Sequence, residues 1–177
     1  MDNTNCNKIV MNTNPYDEII PNLYLGSIKA LEYCYINCKN NSINFHMVVD
    51  LIKYTNMVNT SMGQKFEKYI NLPVNDSPDE CNNLLKIIND TQVLEKIHLA
   101  LHQNKPVLVH CFAGMQRSCA LVACYLIKYH NFTPISAIDF IKTKRPIAFF
   151  GNVNFMETLN TITTKTIYNL LYVKLIN

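Results

Sequence analysis

Twelve residues, Val107-Leu-Val-His-Cys-Phe-Ala-Gly-Met-Gln-Arg-Ser118, restrict the folds open to this chain more than any other stretch. Val107 to Val109 is an aliphatic, β-branched run after Lys105-Pro106, which suits a buried parallel strand. Ser118 to Tyr129 is apolar on nearly every face, which suits a buried helix. Cys111 and Arg117 lie between them with Gly114 in the middle. A loop that passes from a strand end into a helix start turns backbone N–H groups inward. The first turn of the helix adds unpaired N–H groups and the positive end of its dipole. Together these make a cradle for a dianionic phosphate.

Two side chains give the cradle a chemistry. Cys111 sits at its base, where a positive field favours thiolate over thiol. Arg117 closes it, and a planar guanidinium holds two phosphate oxygens at once, as a lysine cannot. The chain has 16 Lys plus Arg, but only Arg117 and Arg145 are arginine. The phosphate-binding set is therefore the backbone of Phe112, Ala113, Gly114, Met115, Gln116 and Arg117, with the Arg117 side chain. Free cysteines are often buried and inert, but a structural Cys111 would explain neither Gly114 nor Arg117.

The segment His110-Cys-Phe-Ala-Gly-Met-Gln-Arg-Ser118 resembles the signature loop of cysteine-dependent protein phosphatases, His-Cys-x-x-Gly-x-x-Arg-Ser/Thr. The Ala-Gly-x-x-Arg-Ser form, followed by a Cys-Tyr-Leu helix, is most similar to the dual-specificity branch, including the compact poxviral enzymes. The resemblance runs from about Ile19 to Leu159 and includes Leu23-Tyr-Leu-Gly26. It implies a metal-independent hydrolase that removes phosphate from Tyr and from Ser or Thr of proteins through a cysteinyl-phosphate. It needs no cofactor. The general acid of this family is an Asp on a loop before the long helix. Leu72-Pro-Val-Asn-Asp76 is similar to that segment and makes Asp76 the first candidate, while Asp79 lies closer to the family's spacing to the nucleophile. Either could instead cap a helix. Ser118 would donate a hydrogen bond to the departing sulfur, or cap the helix, or both. His110 should point away from Cys111 along an extended strand and order the loop by hydrogen bonding. Arg145-Pro-Ile-Ala-Phe-Phe-Gly-Asn152-Val-Asn-Phe155 resembles a further family pattern with one extra residue, which makes Asn152 a loop-orienting amide.

Related loops serve RNA 5′-triphosphatases and phosphoinositide phosphatases, whose ligands carry more charge. Here Phe112, Ala113, Met115 and Gln116 are all uncharged, which favours a singly phosphorylated substrate. A phosphate-binding module with weak turnover is the non-enzymatic alternative. The partner implied is a phosphorylated protein, with no nucleic acid and no membrane, on a monomer or homodimer.

The rest of the chain agrees with one α/β domain of 177 residues. A net charge of +3 is too small to call for nucleic acid. No apolar run reaches the length of a membrane span, and the N-terminus lacks a signal peptide's apolar core. Seven cysteines with no Cys-x-x-Cys pair argue against a disulfide framework and a zinc site. Cytoplasmic residence is expected, in a host cell or virion if the heavy use of Asn, Ile and Lys marks a viral genome. Cys81, Cys119 and Cys124 are candidates for a redox partner of Cys111.

Residues 1–15 read as a flexible polar tail and 16–177 as the catalytic domain. Ile19 to Gly26 reads as a turn and an edge strand, with Ser27 capping a helix to about Asn37 and Asn40 to Asn44 connecting onward. Phe45 to Ile52 and Phe66 to Val74 read as strands around a loop from Asn56 to Gln64. A helix broken near Asn89-Asp90 follows to Gln103. Thr133 caps the next helix, with Pro134 at its first position, and Arg145-Pro146 ends it. A final helix runs from Asn154 to Lys174. The predicted fold is a mostly parallel central sheet flanked by helices, with the Cys-x5-Arg loop between a strand and a buried helix. Cys34 with Cys38, and His98 with His102, have helical spacing. Both pairs lack further ligands, so the cysteines read as one core-facing turn and the histidines as a solvated face.

Overall fold

The computed structural model describes residues 14–31, 43–53 and 66–176. Most of the predicted tail, the helix beyond Leu31 with Cys34 and Cys38, the connection as far as Ser42, and the loop around Asn56–Gln64 lie outside the described residues. Among those described, the strands are β1 (Tyr16–Ile20), β2 (Leu23–Ser27), β3 (Met47–Asp50), β4 (Lys68–Asn71) and β5 (Val107–Cys111). They form one sheet in the order β1-β2-β5-β3-β4. Only the β1–β2 pair is antiparallel; β2, β5, β3 and β4 run parallel, as the alternation of strands and helices predicts.

The centre of the sheet is β5, buried at every position. It lies between β2 and β3, with Ser27 opposite Cys111 on one side and Asp50 opposite His110 on the other. Its alternation splits the core. Val107, Val109 and Cys111 belong to the larger apolar cluster, whereas Leu108 joins Ala30, Leu31, Phe45 and Val48 in the smaller one. A strand with apolar side chains on both faces needs cover on both faces. Leu23–Ser27 is consequently interior and not an edge strand, and the outer strand is β1, whose Ile19 and Ile20 fall in the predicted turn. The last two residues of the predicted tail also pack into the fold: the Pro15 carbonyl accepts the Ser27 N–H at 3.0 Å. Ser27 ends β2, and its hydroxyl faces the same carbonyl at 3.5 Å.

Among the described residues, α1 (Cys81–Thr91) and α2 (Val93–His102) lie between β4 and β5, and α3 (Arg117–His130), α4 (Pro134–Lys144) and α5 (Met156–Ile176) follow β5. The break between α1 and α2 falls at Gln92, in left-handed conformation at φ 51°, just past the predicted Asn89-Asp90. It reorients the chain so that Val93, Leu94 and Ile97 reach the core. In α3, every residue from Ser118 to Ile127 is buried, which explains its apolar character on all faces. Thr133 and Ser136 form a reciprocal capping box at the start of α4, with Pro134 at its head. Arg145 ends α4 in extended conformation, as a residue before proline should.

Candidate functional site

β5 delivers Cys111 to the carboxyl edge of the sheet, and residues 112–116 curve from it into α3. The thiol is fully buried. Its Sγ accepts hydrogen bonds from the Gly114 N–H at 3.3 Å and the Ser118 hydroxyl at 3.2 Å. Ser118 makes no capping bond, because Gln116 occupies the cap position. No protein acceptor engages the N–H groups of Ala113, Met115 or Gln116 among the described residues. These donors and the N-terminus of α3 make an anion-binding concavity.

Gly114 is required twice over. Its φ is +68°, and a Cβ there would lie 2.6 Å from the Gly26 carbonyl oxygen and 2.8 Å from Arg145 Nη2. The loop thus rests directly on the end of β2.

Arg145, with 1% of its surface exposed, braces the loop from behind. Its Nε donates to the Gly114 carbonyl at 2.8 Å and its Nη2 to the Ala113 carbonyl at 3.4 Å. Nη1 pairs with Asp17 Oδ2 at 2.6 Å and reaches the Asn14 carbonyl at 3.4 Å. The sequence reading gave Arg145 no role in the site. Its signal was compositional: it is the only arginine besides Arg117.

Arg117 opens α3. Its Nη1 donates to the carbonyls of Leu51 and Val74, each at 3.4 Å. Its Nε lies 3.4 Å from Asp76 Oδ2, an ion pair without hydrogen-bond alignment. A buried guanidinium held by long bonds has donor capacity to spare for an anion. Of the two acid candidates, Asp76 is therefore the one that meets Arg117. Asp79 lies in a 3-10 turn, Pro78–Glu80, where its carboxylate and N–H both face the capping Ser77 hydroxyl at 3.4 Å.

His110 and Asn152 behave differently from expectation. His110 is buried, and neither ring nitrogen has a hydrogen-bond partner. Strand alternation turns it away from the loop towards Asp50, whose Oδ1 is 3.7 Å from Nε2. Burial lowers its pKa below the ordinary histidine value, outweighing the opposing pull of Asp50, and keeps the ring neutral. Asp50 also receives the Tyr69 hydroxyl at 2.7 Å and the Ile52 N–H at 2.8 Å. Asn152 has an exposed side chain and supports the loop through its carbonyl, which accepts Gln116 Nε2 at 2.7 Å. The extra residue of this segment is absorbed by two left-handed positions, Phe149 at φ 53° and Gly151 at φ 78°. The amide that reaches the site is that of Asn154, which donates to Asp76 Oδ1 at 2.9 Å. Gln116 contributes more than its backbone, since its side chain also donates to the Phe150 carbonyl at 3.1 Å and accepts the Asn154 N–H at 3.3 Å.

Cys81, Cys111, Cys119 and Cys124 are all reduced. Burial and the adjacent Cys111 push the Cys119 thiol far up, and burial pushes Cys124 up to about 12. Both are poor nucleophiles. His98 does not lie on a solvated face. It stacks on Tyr129 at 3.9 Å and contacts the Tyr125 hydroxyl at 3.2 Å. Among the described residues no cluster of three or more His, Cys, Asp or Glu could hold a metal ion, and no helix is long and apolar enough to cross a membrane.

Comparison with known proteins bears on the family and the fold. The family model for the catalytic domain of dual specificity phosphatases matches residues 23–165. The chain is 32% identical over 148 residues to human dual specificity protein phosphatase 9, matching 80% of this chain but 34% of that protein. It is 28% identical over 142 residues to protein 123R of Invertebrate iridescent virus 6, which bears a tyrosine phosphatase name, matching 80% of this chain and 87% of the viral one. The crystal structure of human DUSP28 superposes with a TM-score of 0.70 at 22% identity, over 86% of this chain and 95% of that one.

Proposed function

Since the chain belongs to the dual specificity phosphatase family and is a protein phosphatase by that membership, we propose that it works through a cysteinyl-phosphate formed on Cys111. One observation carries this reading: a buried sulfur accepts two hydrogen bonds in a loop whose other N–H groups meet no acceptor among the described residues, and the arginine that closes the loop leaves a buried N–H unsatisfied.

In the first step the Cys111 thiolate attacks phosphorus and the seryl, threonyl or tyrosyl oxygen leaves. Asp76 gives that oxygen its proton. The Arg117 fork and the amides of residues 112–117 hold the three equatorial oxygens, whose charge is spread in the transition state. In the second step Asp76 takes a proton from water, which attacks phosphorus. The sulfur leaves as thiolate, and the Ser118 hydroxyl, 3.2 Å away, donates a hydrogen bond that stabilises its charge. His110 stays neutral and carries no proton in either step.

The substrates are proteins phosphorylated on Tyr and on Ser or Thr. Uncharged Phe112, Ala113, Met115 and Gln116 offer a polyphosphorylated lipid or RNA end no added cation. A reducing compartment such as the cytoplasm would keep Cys111 active. Initial rates on phosphotyrosine and phosphothreonine peptides, with chelator present, test the assignment. Both peptides should be cleaved, and Cys111→Ser should cleave neither. Cleavage of RNA 5′-ends or phosphoinositides in preference to both peptides would overturn it.

A further inference from the structure

The general acid must present its proton to the leaving group from the correct oxygen, yet Asp76 is an exposed residue on an irregular segment. Buried Leu72 and Val74 anchor the backbone just before it, and the 3-10 turn fixes the backbone just after it. Neither contact orients the carboxyl group.

Asn154 does. Its side-chain amide donates to Asp76 Oδ1 at 2.9 Å. Its backbone is held at both ends, the N–H by Gln116 Oε1 at 3.3 Å and the carbonyl by the Cys81 thiol at 3.3 Å. Gln116 is the last residue of the phosphate loop, is 7% exposed, and is itself pinned by the carbonyls of Phe150 and Asn152. A short chain of bonds therefore runs from the phosphate loop through Gln116 and Asn154 to the acid. The same backbone links that chain to the start of α1 at Cys81.

We propose that Asn154 is the positioning residue of the general acid, an inference that rests on Asp76 being that acid. The chemistry follows from which oxygen is engaged. In a protonated carboxyl the carbonyl oxygen is the better acceptor, so the amide N–H of Asn154 favours Oδ1 as that oxygen. The transferable proton then resides on Oδ2, which takes no hydrogen bond from Arg117 Nε 3.4 Å away and lies beside the guanidinium that holds the phosphate. Without Asn154 the carboxyl rotates freely and the proton sits on either oxygen. The link through Gln116 also keeps the acid at a fixed distance from the loop that holds phosphorus.

The test is the dependence of kcat/KM on leaving-group pKa, which reports the acid-assisted first step and not the later attack of water, measured over a series of aryl phosphates from nitrophenyl to phenyl. Wild type, Asp76→Asn, Asn154→Ala, Asn154→Leu and the double variant Asp76→Asn/Asn154→Ala are compared. A good leaving group depends less on the proton, so Asn154→Ala should lose roughly tenfold in kcat/KM on phenyl phosphate, the worth of about one hydrogen bond, and distinctly less on nitrophenyl phosphate. Asn154→Leu keeps a comparable size and the backbone bonds but has no side-chain donor, and should give the same steepened plot. The double variant should match Asp76→Asn alone, because the two residues act as one unit.

A wild-type plot for both Asn154 variants, alongside a steep one for Asp76→Asn, would overturn the role of Asn154 and leave the acid assignment standing. A wild-type plot for Asp76→Asn itself would overturn both. Equal loss on both substrates would mark a purely structural role and overturn the inference.

Discussion

The floor of the site and its acid-bearing rim are built in opposite ways. The floor, from Val107 to Ser118, is a buried strand, a loop and a buried helix, consecutive in sequence. It is braced by the close approach of Gly26 and by a buried arginine with four polar contacts. The rim at Asp76 is exposed and irregular, and depends on side chains from distant parts of the chain: Arg117, 41 positions away by numbering (117 − 76), and Asn154, 78 away. The difference teaches where stability and chemistry are separable. Damage to the floor should cost the fold, whereas damage to the rim should cost the reaction alone.

Asp76→Asn is the sharpest way to break that contrast. Loss of a general acid should lower kcat on phosphoserine or phosphothreonine peptides by about 10²–10⁴-fold. The midpoint of urea denaturation should barely move, because an exposed surface substitution shifts stability by only about 0.5 kcal/mol. Asp79→Ala should leave kcat within about twofold of wild type, as its carboxylate serves only the Ser77 turn. A reversed pattern would move the acid to Asp79.

Arg145→Met tests the floor. It removes the buried guanidinium that pairs with Asp17 and holds two loop carbonyls, and loss of one partner of a buried pair costs about 3–5 kcal/mol. Urea unfolding should report that loss, and a variant of wild-type stability would show that the loop stands without its brace. Ser118→Ala should do less. It removes one hydrogen bond to the Cys111 sulfur, and pre-steady-state traces should show roughly tenfold slower breakdown of the phosphoenzyme with its formation little changed.

The smallest expected effect is pH dependence of stability. His110 is neutral in the fold, with its pKa below the ordinary 6.5 because of burial. As pH falls past 6.5 the unfolded chain takes up a proton that the folded chain refuses, so stability present above that pH is lost below it. Buried parts of His98 and His130 act in the same direction. Urea titrations at pH 7.5 and 5.5, both about one unit from the ordinary histidine value, should show a lower midpoint at the acid pH. His110→Gln should flatten the difference.

The same contrast explains what the sequence made legible. The floor could be read because its signals are local: β-branched residues before Cys111, a glycine that must adopt positive φ, and an apolar helix after Arg117. The mostly parallel sheet was legible from the alternation of strands and helices, and α4 from Thr133, Pro134 and the Arg145-Pro146 stop. The rim was not, because no local pattern tells Asn152 from Asn154. Which amide faces Asp76 depends on how the chain turns through Phe149 and Gly151. His110 shows a related limit. Its burial follows from strand alternation, but its partner depends on the register that places Asp50 opposite. Arg145 was visible as a rare residue and as a helix terminator, yet only the return of β1 beside α4 supplies Asp17.

The central claim is that Cys111 becomes covalently phosphorylated during turnover. A wild-type sample reacting with an aryl phosphate, quenched rapidly in acid and mapped by peptide mass spectrometry, tests it directly. The account predicts phosphate on the peptide that carries Cys111, stronger in Asp76→Asn, whose phosphoenzyme lacks the base that activates water, when a nitrophenyl leaving group forms it without acid help. Phosphate on any other residue, or turnover by Cys111→Ser at the wild-type rate, would contradict it.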